Sequence, residues 1–366
     1  MISLADPVFG PAEVDAVTDV LESGMVADGP EVRAFERAFA EYCGAPHAVA
    51  TSNGTTALHT ALTALGIGAG DRVVTTPLSF VASANAIRLA GARPVFADID
   101  PDTYTLDPDA TRDAVRDTDA DAILAVHLYG LPADMASLSD IAATEDVALI
   151  EDAAQAHGAS YAGESVGTVG DVAAFSFYPT KNMTTGEGGM VLTEDKTVAD
   201  RAASFVNHGR TSDDSYAHER VGHNFRMTVK LHSAAIGRVQ LDRLPEWVRS
   251  RRANADTLTD GLATVDGITT PREPDDRTHA YHQYTVRTSK RDRLRAALAE
   301  RGVDTGIYYP TPIHELAAYN GFDSTAPVAE AAAEHVLSLP VHPKLTHAEL
   351  DQIVHATQRA AAELEL

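Results

Sequence analysis

Apolar positions fall in short runs over the first half of the chain, and stretches with helical spacing lie between them. The runs predict strands at Ala48–Thr51, Arg72–Thr76, Pro94–Asp98, Ala122–His127, Ala148–Asp152, Val172–Phe177 and Gly189–Thr193. Several are apolar throughout, as strands covered on both faces are. Helical spacing predicts helices at Gly54–Leu65, Val81–Leu89, Pro108–Arg116, Ala133–Ala143 and Thr197–Val206. Such alternation gives an α/β fold: a mainly parallel seven-stranded sheet flanked by helices. A long helical stretch, Leu231–Leu262, follows and should be interrupted near Pro245. Its arginines, Arg243, Arg249, Arg251 and Arg252, read as a solvated face rather than an anion patch. Beyond it, a strand at His282–Thr288 and helices at Lys290–Glu300, Val328–Leu337 and His347–Leu364 predict a smaller α+β C-terminal domain. The expected division is 1–248 and 249–366.

Composition narrows the class. The chain of 366 residues carries 53 acidic and 29 basic residues, a formal net charge of −24. A field of that sign disfavours nucleic acid and anionic membranes. Few lysines beside many Asp and Ala suggest adaptation to high salt, a halophilic signature. Cys43 stands alone, which excludes a disulfide within the chain and a thiolate metal cluster. No apolar run approaches the ~20 residues of a membrane helix. The first residues lack a basic, then apolar, leader, so a cytoplasmic protein is expected.

In open α/β sheets, ligands bind beyond the carboxyl ends of the strands. Four such ends carry suitable groups. Ser52-Asn53-Gly54-Thr55-Thr56 offers free N–H groups at a helix start, which favour a phosphate. Phe80, in Thr76-Pro77-Leu78-Ser79-Phe80, can cover a planar ring. Asp152 ends an apolar strand, where a bare carboxylate needs a cationic partner such as a protonated pyridine nitrogen. Gln155 follows close after it. Ser176 ends another strand, before Tyr178, Lys181 and the Gly186-Glu187-Gly188-Gly189 turn. Lys181 is one of only five lysines. A lysine amine, unlike an arginine, can lose its proton and form a Schiff base with an aldehyde. Each signal alone has a bland reading as a cap, core ring or loop residue. Together, in order on one sheet, they are the equipment for pyridoxal phosphate (PLP), without a metal. His208, His218, His223 and His232 lack a zinc spacing.

The segments SNGTTALHTAL, TPLSFVASANAI, IEDAAQAHGA, FSFYPTKNMTTGEGGM, NHGR, GHNFRM and YYPTPIH run from Ser52 to His314. With them the chain resembles the DegT/DnrJ/EryC1/StrS sugar aminotransferases, which have the fold type I architecture. The resemblance implies that PLP is bound covalently to Lys181, which then acts as the base. It implies that Asp152 holds the pyridine nitrogen, Gln155 the ring hydroxyl and Phe80 a ring face. Gly54, Thr55 and Ser176 would hold the phosphate, together with Asn224 from the neighbouring subunit of a homodimer. Tyr308, Tyr309 and His314, in the segment where the family lines its sugar pocket, would border the substrate, with Tyr178. His127, at the end of the strand Ala122–His127, either faces the same pocket or is a hydrogen-bonded strand-end histidine. Arg226 can pair with a donor carboxylate or a nucleotide phosphate. The substrates implied are a keto-sugar, nucleotide-linked, and an amino acid donor, glutamate or glutamine. Relatives that dehydrate sugars replace the lysine with histidine, and Lys181 argues against that reaction. The intact Asp152–Gln155–Lys181 set argues against a regulatory sugar-binding protein. After Asn224 the family pattern expects an acidic residue, whereas this chain carries Val229-Lys230-Leu231-His232-Ser233, longer and basic.

Overall fold

Seven strands build the central sheet in the order β3-β2-β4-β5-β8-β9-β1. They are β1 (His47–Thr51), β2 (Arg72–Thr75), β3 (Arg93–Phe96), β4 (Ala122–Val126), β5 (Ala148–Asp152), β8 (Val172–Ser176) and β9 (Gly189–Thr193). Two short strands between β5 and β8, β6 (Ser160–Tyr161) and β7 (Glu164–Ser165), belong to a separate three-stranded sheet with β10 (Arg277–Thr278). From β3 to β8 the neighbours are parallel. β9 runs against both β8 and β1, so those two point the same way and end on the same edge. The computed structural model describes residues 1–26, 29–211, 217–227, 231–322 and 324–366. The basic segment after Asn224 therefore lies in part outside the described residues, at 229–230 and in the side chains of 231–232.

Helices cover both faces of the sheet: α1 (Pro11–Glu22), α2 (Pro30–Cys43), α3 (Gly54–Leu65), α4 (Ala82–Leu89), α5 (Pro108–Thr118), α6 (Met135–Glu145), α7 (Lys196–Val206) and α8 (Leu231–Leu262). The strand–helix alternation does not announce α1 and α2, which precede β1. Their place is set by aromatic packing. Phe35 and Phe39 of α2 meet Phe175 of β8 and Phe177, with ring centroids 5.0–5.3 Å apart across the interface. Strand side chains alternate between faces. With Phe175 and Phe177 turned to α2, Ser176 between them faces the opposite side.

The expected break at Pro245 does not occur: α8 is continuous from Leu231 to Leu262. Proline removes one N–H from the ladder. Here it is exposed, while Leu244, Trp247 and Val248 are buried in the core that includes α2. The arginines of α8 do not share one solvated face. Arg251 is buried and donates to the Tyr281 carbonyl at 3.1 Å, Arg243 pairs with Glu13, and Arg252 pairs with Glu273.

The rest of the chain adds β11 (Tyr284–Arg287), α9 (Arg291–Glu300), α10 (Pro327–His335), β12 (Val336–Leu339) and α11 (His347–Leu364). β11 and β12 pair antiparallel. The helix expected at Val328–Leu337 is thus shorter, and its apolar end is a strand. Val336, Leu337 and Leu339 are fully buried there, an apolar run whose periodicity does not separate strand from helix. One core joins Ala255, Leu258 and Leu262 of α8 to Tyr284, Leu337 and Ile353, and takes in Ile2. The 248/249 division therefore falls inside a continuous helix.

Candidate active site

A cavity of about 540 Å³ opens at the carboxyl edge of the sheet. Its walls come from the loops after β1, β2, β5 and β8 and from Tyr308 and Tyr309. Sequence dictates how closely these loops approach. A Cβ on Gly54 would lie 2.7 Å from Ser176 Cβ, and one on Gly189 would lie 2.4 Å from the Asn53 carbonyl. Only glycine lets the start of α3 press against the ends of β8 and β9. Asn53 caps α3 by accepting from the Thr56 N–H at 2.9 Å. The N–H groups of Gly54 and Thr55 belong to the first turn, which has no intrahelical acceptors, and both residues line the cavity. Ser176 lies beside them.

Lys181 sits in the loop between β8 and β9. That loop is tied down at several points. Phe177 N–H donates to the Gly188 carbonyl at 2.8 Å, Thr184 Oγ1 to the Phe177 carbonyl at 2.8 Å, and Asn182 Nδ2 to the Ala280 carbonyl at 2.9 Å. The lysine is thus presented from a fixed turn. Burial pushes its amine down to about 8, and the Asp152 carboxylate pulls the other way. The neutral form, which a base requires, is thereby brought closer to neutral pH.

Asp152 is buried at the end of β5. The Ser83 hydroxyl donates to Oδ2 at 2.7 Å and the Ala154 N–H to Oδ1 at 3.2 Å. Burial holds its carboxyl above the usual range; those two hydrogen bonds and Lys181 offset part of the effect. Its strand neighbour Glu151 faces away. It accepts from the N–H groups of Gly167, Val169 and Gly170 and contacts His127 Nε2 at 2.9 Å. Gln155 is oriented from both ends. Its Oε1 accepts from Tyr129 N–H at 2.8 Å, and its Nε2 donates to the Tyr309 hydroxyl at 3.2 Å. Phe80 is 55 % exposed, unusual for so large an apolar ring, and it lines the cavity at 6.1 Å from the Tyr309 ring.

The structure therefore gathers Gly54, Thr55, Phe80, Asp152, Gln155, Ser176, Tyr178, Lys181, Tyr308 and Tyr309 around one space. It does not bring His127 there. His127 is fully buried between Glu151 and the Ala133 N–H, which donates to Nδ1 at 3.0 Å. His314 also lies elsewhere, with Nε2 3.1 Å from Glu330 and its ring against Phe96. Asn224 and Arg226 line no part of their own chain's cavity; Arg226 Nε donates to Asn224 Oδ1 at 3.3 Å. Sequence reasoning missed Ser79, Ser83, Glu187, His282 and Gln283, all of which line the cavity. Ser83 sits three residues after Phe80, yet a serine in an apolar helix start carries no signal of its carboxylate partner. His282 begins an expected strand, and nothing there signals the cavity it lines.

The profile of the DegT/DnrJ/EryC1/StrS aminotransferase family matches residues 8–358. The chain belongs to that family. It is 41 % identical over 359 residues to the dTDP-3-amino-3,4,6-trideoxy-alpha-D-glucose transaminase of Streptomyces venezuelae, covering 97 % of this chain and 93 % of that one. Among solved structures, S. venezuelae DesV in complex with a ketimine intermediate superimposes with a TM-score of 0.91 at 41 % identity, over 95 % of this chain and 94 % of DesV. The PLP form of Spr1654 from Streptococcus pneumoniae gives a TM-score of 0.93 at 28 % identity over 99 % of each chain. The chain is accordingly a fold type I, PLP-dependent aminotransferase. The donor set fits that cofactor. The aminotransferase has a buried acid for a ring nitrogen, an exposed aromatic for a ring face, a glycine-enforced N–H cradle and a lysine readily made neutral.

Proposed function

We propose that the aminotransferase moves an amino group from an amino acid, glutamate or glutamine, to a nucleotide-linked keto-sugar, in the biosynthesis of amino sugars or surface glycans. The observation that carries this reading is the buried pair Lys181 and Asp152 in one cavity, with the lysine pushed down to about 8. The dTDP-sugar transaminase relative supports the substrate class.

Bound PLP supplies an electron sink for carbon–hydrogen cleavage next to the amine. The protein supplies position and charge. Lys181 Nζ would hold the cofactor through its aldehyde. As a neutral amine, Lys181 Nζ would accept the proton from the donor Cα and, in the second half of the reaction, would give a proton to the former carbonyl carbon of the sugar. Asp152 would keep the ring nitrogen protonated, and that cationic partner would in turn offset the cost of burying the carboxylate. Gln155 would hold the ring hydroxyl, Phe80 would cover a face, and Gly54 N–H, Thr55 N–H and the Ser176 hydroxyl would hold the phosphate. Tyr178, Tyr308 and Tyr309 border the sugar.

Asn224 lies exposed outside its own cavity, where it can serve the site of a second copy in a cytoplasmic homodimer. Arg226, beside it, is placed to meet a donor carboxylate or a nucleotide phosphate in the same way. The division at 248/249 stays part of this proposal, with α8 shared by both domains.

The test is the purified protein's visible spectrum and turnover. A visible band that borohydride abolishes and Lys181→Ala lacks, with glutamate-dependent amination of one nucleotide keto-sugar in a panel read by mass spectrometry, supports the reading. A protein that takes up no PLP on reconstitution overturns it. Turnover of keto acids alone removes it from the sugar class.

A further inference from the structure

Asp152 is held mainly by a residue outside the set just described. Ser83 Oγ lies 2.7 Å from Oδ2, the length of a charge-assisted O–H···O bond. Its other acceptor, the Phe80 carbonyl, is 3.3 Å away. A hydroxyl has one proton, and the shorter bond to a carboxylate is the stronger claim on it. Ser79 Oγ is 2.9 Å from Ser83 Oγ. With the Ser83 proton committed to Asp152, Ser79 must be the donor to Ser83. Both serines are buried, at 4 % and 1 % exposure, and both line the cavity. The remaining bond to Asp152, from the Ala154 N–H, is long at 3.2 Å.

We propose that the chain Ser79–Ser83–Asp152 is a clamp that orients the Asp152 carboxylate and keeps it ionised for the cofactor's ring nitrogen, with Ser83 as the positioning residue. Each O–H polarises the next, so the bond reaching Asp152 is strengthened by the one behind it. Residues 79–83 also carry Phe80 between the two serines. Ring cover and nitrogen anchor therefore ride on one turn, and displacing that turn disturbs both together. The inference rests on the assignment of Asp152 to the ring nitrogen.

The test uses full-length apoprotein titrated with PLP at several pH values, followed by fluorescence of the single tryptophan, Trp247. Removing the hydroxyl in Ser83→Ala should shift the affinity-versus-pH curve upward by about one unit, with about tenfold weaker binding at its acid end and recovery at its alkaline end. Ser79→Ala should give a smaller shift in the same direction, and Ser83→Thr should restore the curve to within about threefold. Ser83→Cys, a weaker donor of similar size, should fall between and serves if the alanine variant folds poorly. With 1-deazapyridoxal phosphate, whose ring lacks the nitrogen, the Ser83→Ala loss should vanish. A loss equal at every pH, or equal for the deaza analogue, makes Ser83 a packing residue only and overturns the clamp. Wild-type protein that binds no PLP refutes the proposed function instead, so the two failures are distinguishable.

Discussion

Burying Lys181 in the absence of cofactor costs stability, and replacing it should return that stability. Burial pushes the amine from 10.5 down to about 8. At ~1.36 kcal/mol per unit this corresponds to about 3 kcal/mol against the folded state when both states bind the proton. The sign follows from the direction. Below pH 8 the lysine is charged in both states and the full cost applies. Between 8 and 10.5 the folded protein releases its proton first, so stability rises with pH, and above 10.5 the cost is gone. Lys181→Met keeps a similar shape without the charge. It also takes a positive neighbour from Asp152, which returns part of the gain. The expected net for the apoprotein is about 2 kcal/mol more stability than wild type at pH 7, shrinking towards zero by pH 10.5. Denaturant unfolding of both cofactor-free proteins at four pH values across that window measures the difference. A variant less stable than wild type at pH 7, or a gap unchanged with pH, refutes the placement of a strained lysine. A catalytic site that costs stability is a common trade.

Gly54→Ala places a methyl group 2.7 Å from Ser176 Cβ, so PLP affinity should fall by more than tenfold while the rest of the fold persists; equilibrium titration checks it. Glu151→Gln puts an amide among three N–H donors and should cost about 3 kcal/mol in thermal or denaturant unfolding. Glu151 sits below its ordinary value, so its contribution is present above about pH 4.5 and is lost in acid; the gap between wild type and variant should close there. His314→Ala should lower the melting temperature and leave kcat/KM within about twofold, because the ring binds Glu330 away from the cavity.

What the sequence disclosed and what it hid follow from physics at particular residues. β1 and α3 were legible because Asn53 caps a helix whose glycine-led first turn has a distinct composition. Asp152 was legible because an acid that ends an apolar run needs an explanation. His127 stayed open between pocket and core for the mirror reason. It too ends an apolar strand, but Glu151 satisfies it on the other face, and a single residue's phase decides which face it takes. The strand Val336–Leu339 was hidden because its partner, β11, lies about fifty residues away, and a four-residue apolar run cannot be told from a helix end. Ser83 was hidden because its importance is relational. Nothing local marks a serine whose acceptor is 69 positions on.

The charge of −24 poses a last question: how an acidic protein binds the dianionic phosphate of PLP. Among the described residues lining the cavity, Lys181 is the only lysine or arginine, while Asp152 and Glu187 are acids. Among the described residues, cation pairing from the same chain is therefore confined to Lys181. Backbone N–H groups at the start of α3 and the Ser176 hydroxyl act over hydrogen-bond distance and are little affected by salt. The acidic surface acts over longer range and is screened, since the Debye length falls from ~10 Å at 0.1 M to ~3 Å at 1 M. Raising salt should remove the repulsion and spare the attraction. PLP affinity should therefore tighten several-fold between 0.1 and 1 M potassium chloride, read by equilibrium titration, and a salt-adapted protein would work in that regime. A steady weakening with salt, as at a phosphate site lined with exposed arginines, would place the binding energy in cations from the second copy, with Arg226 the first to replace.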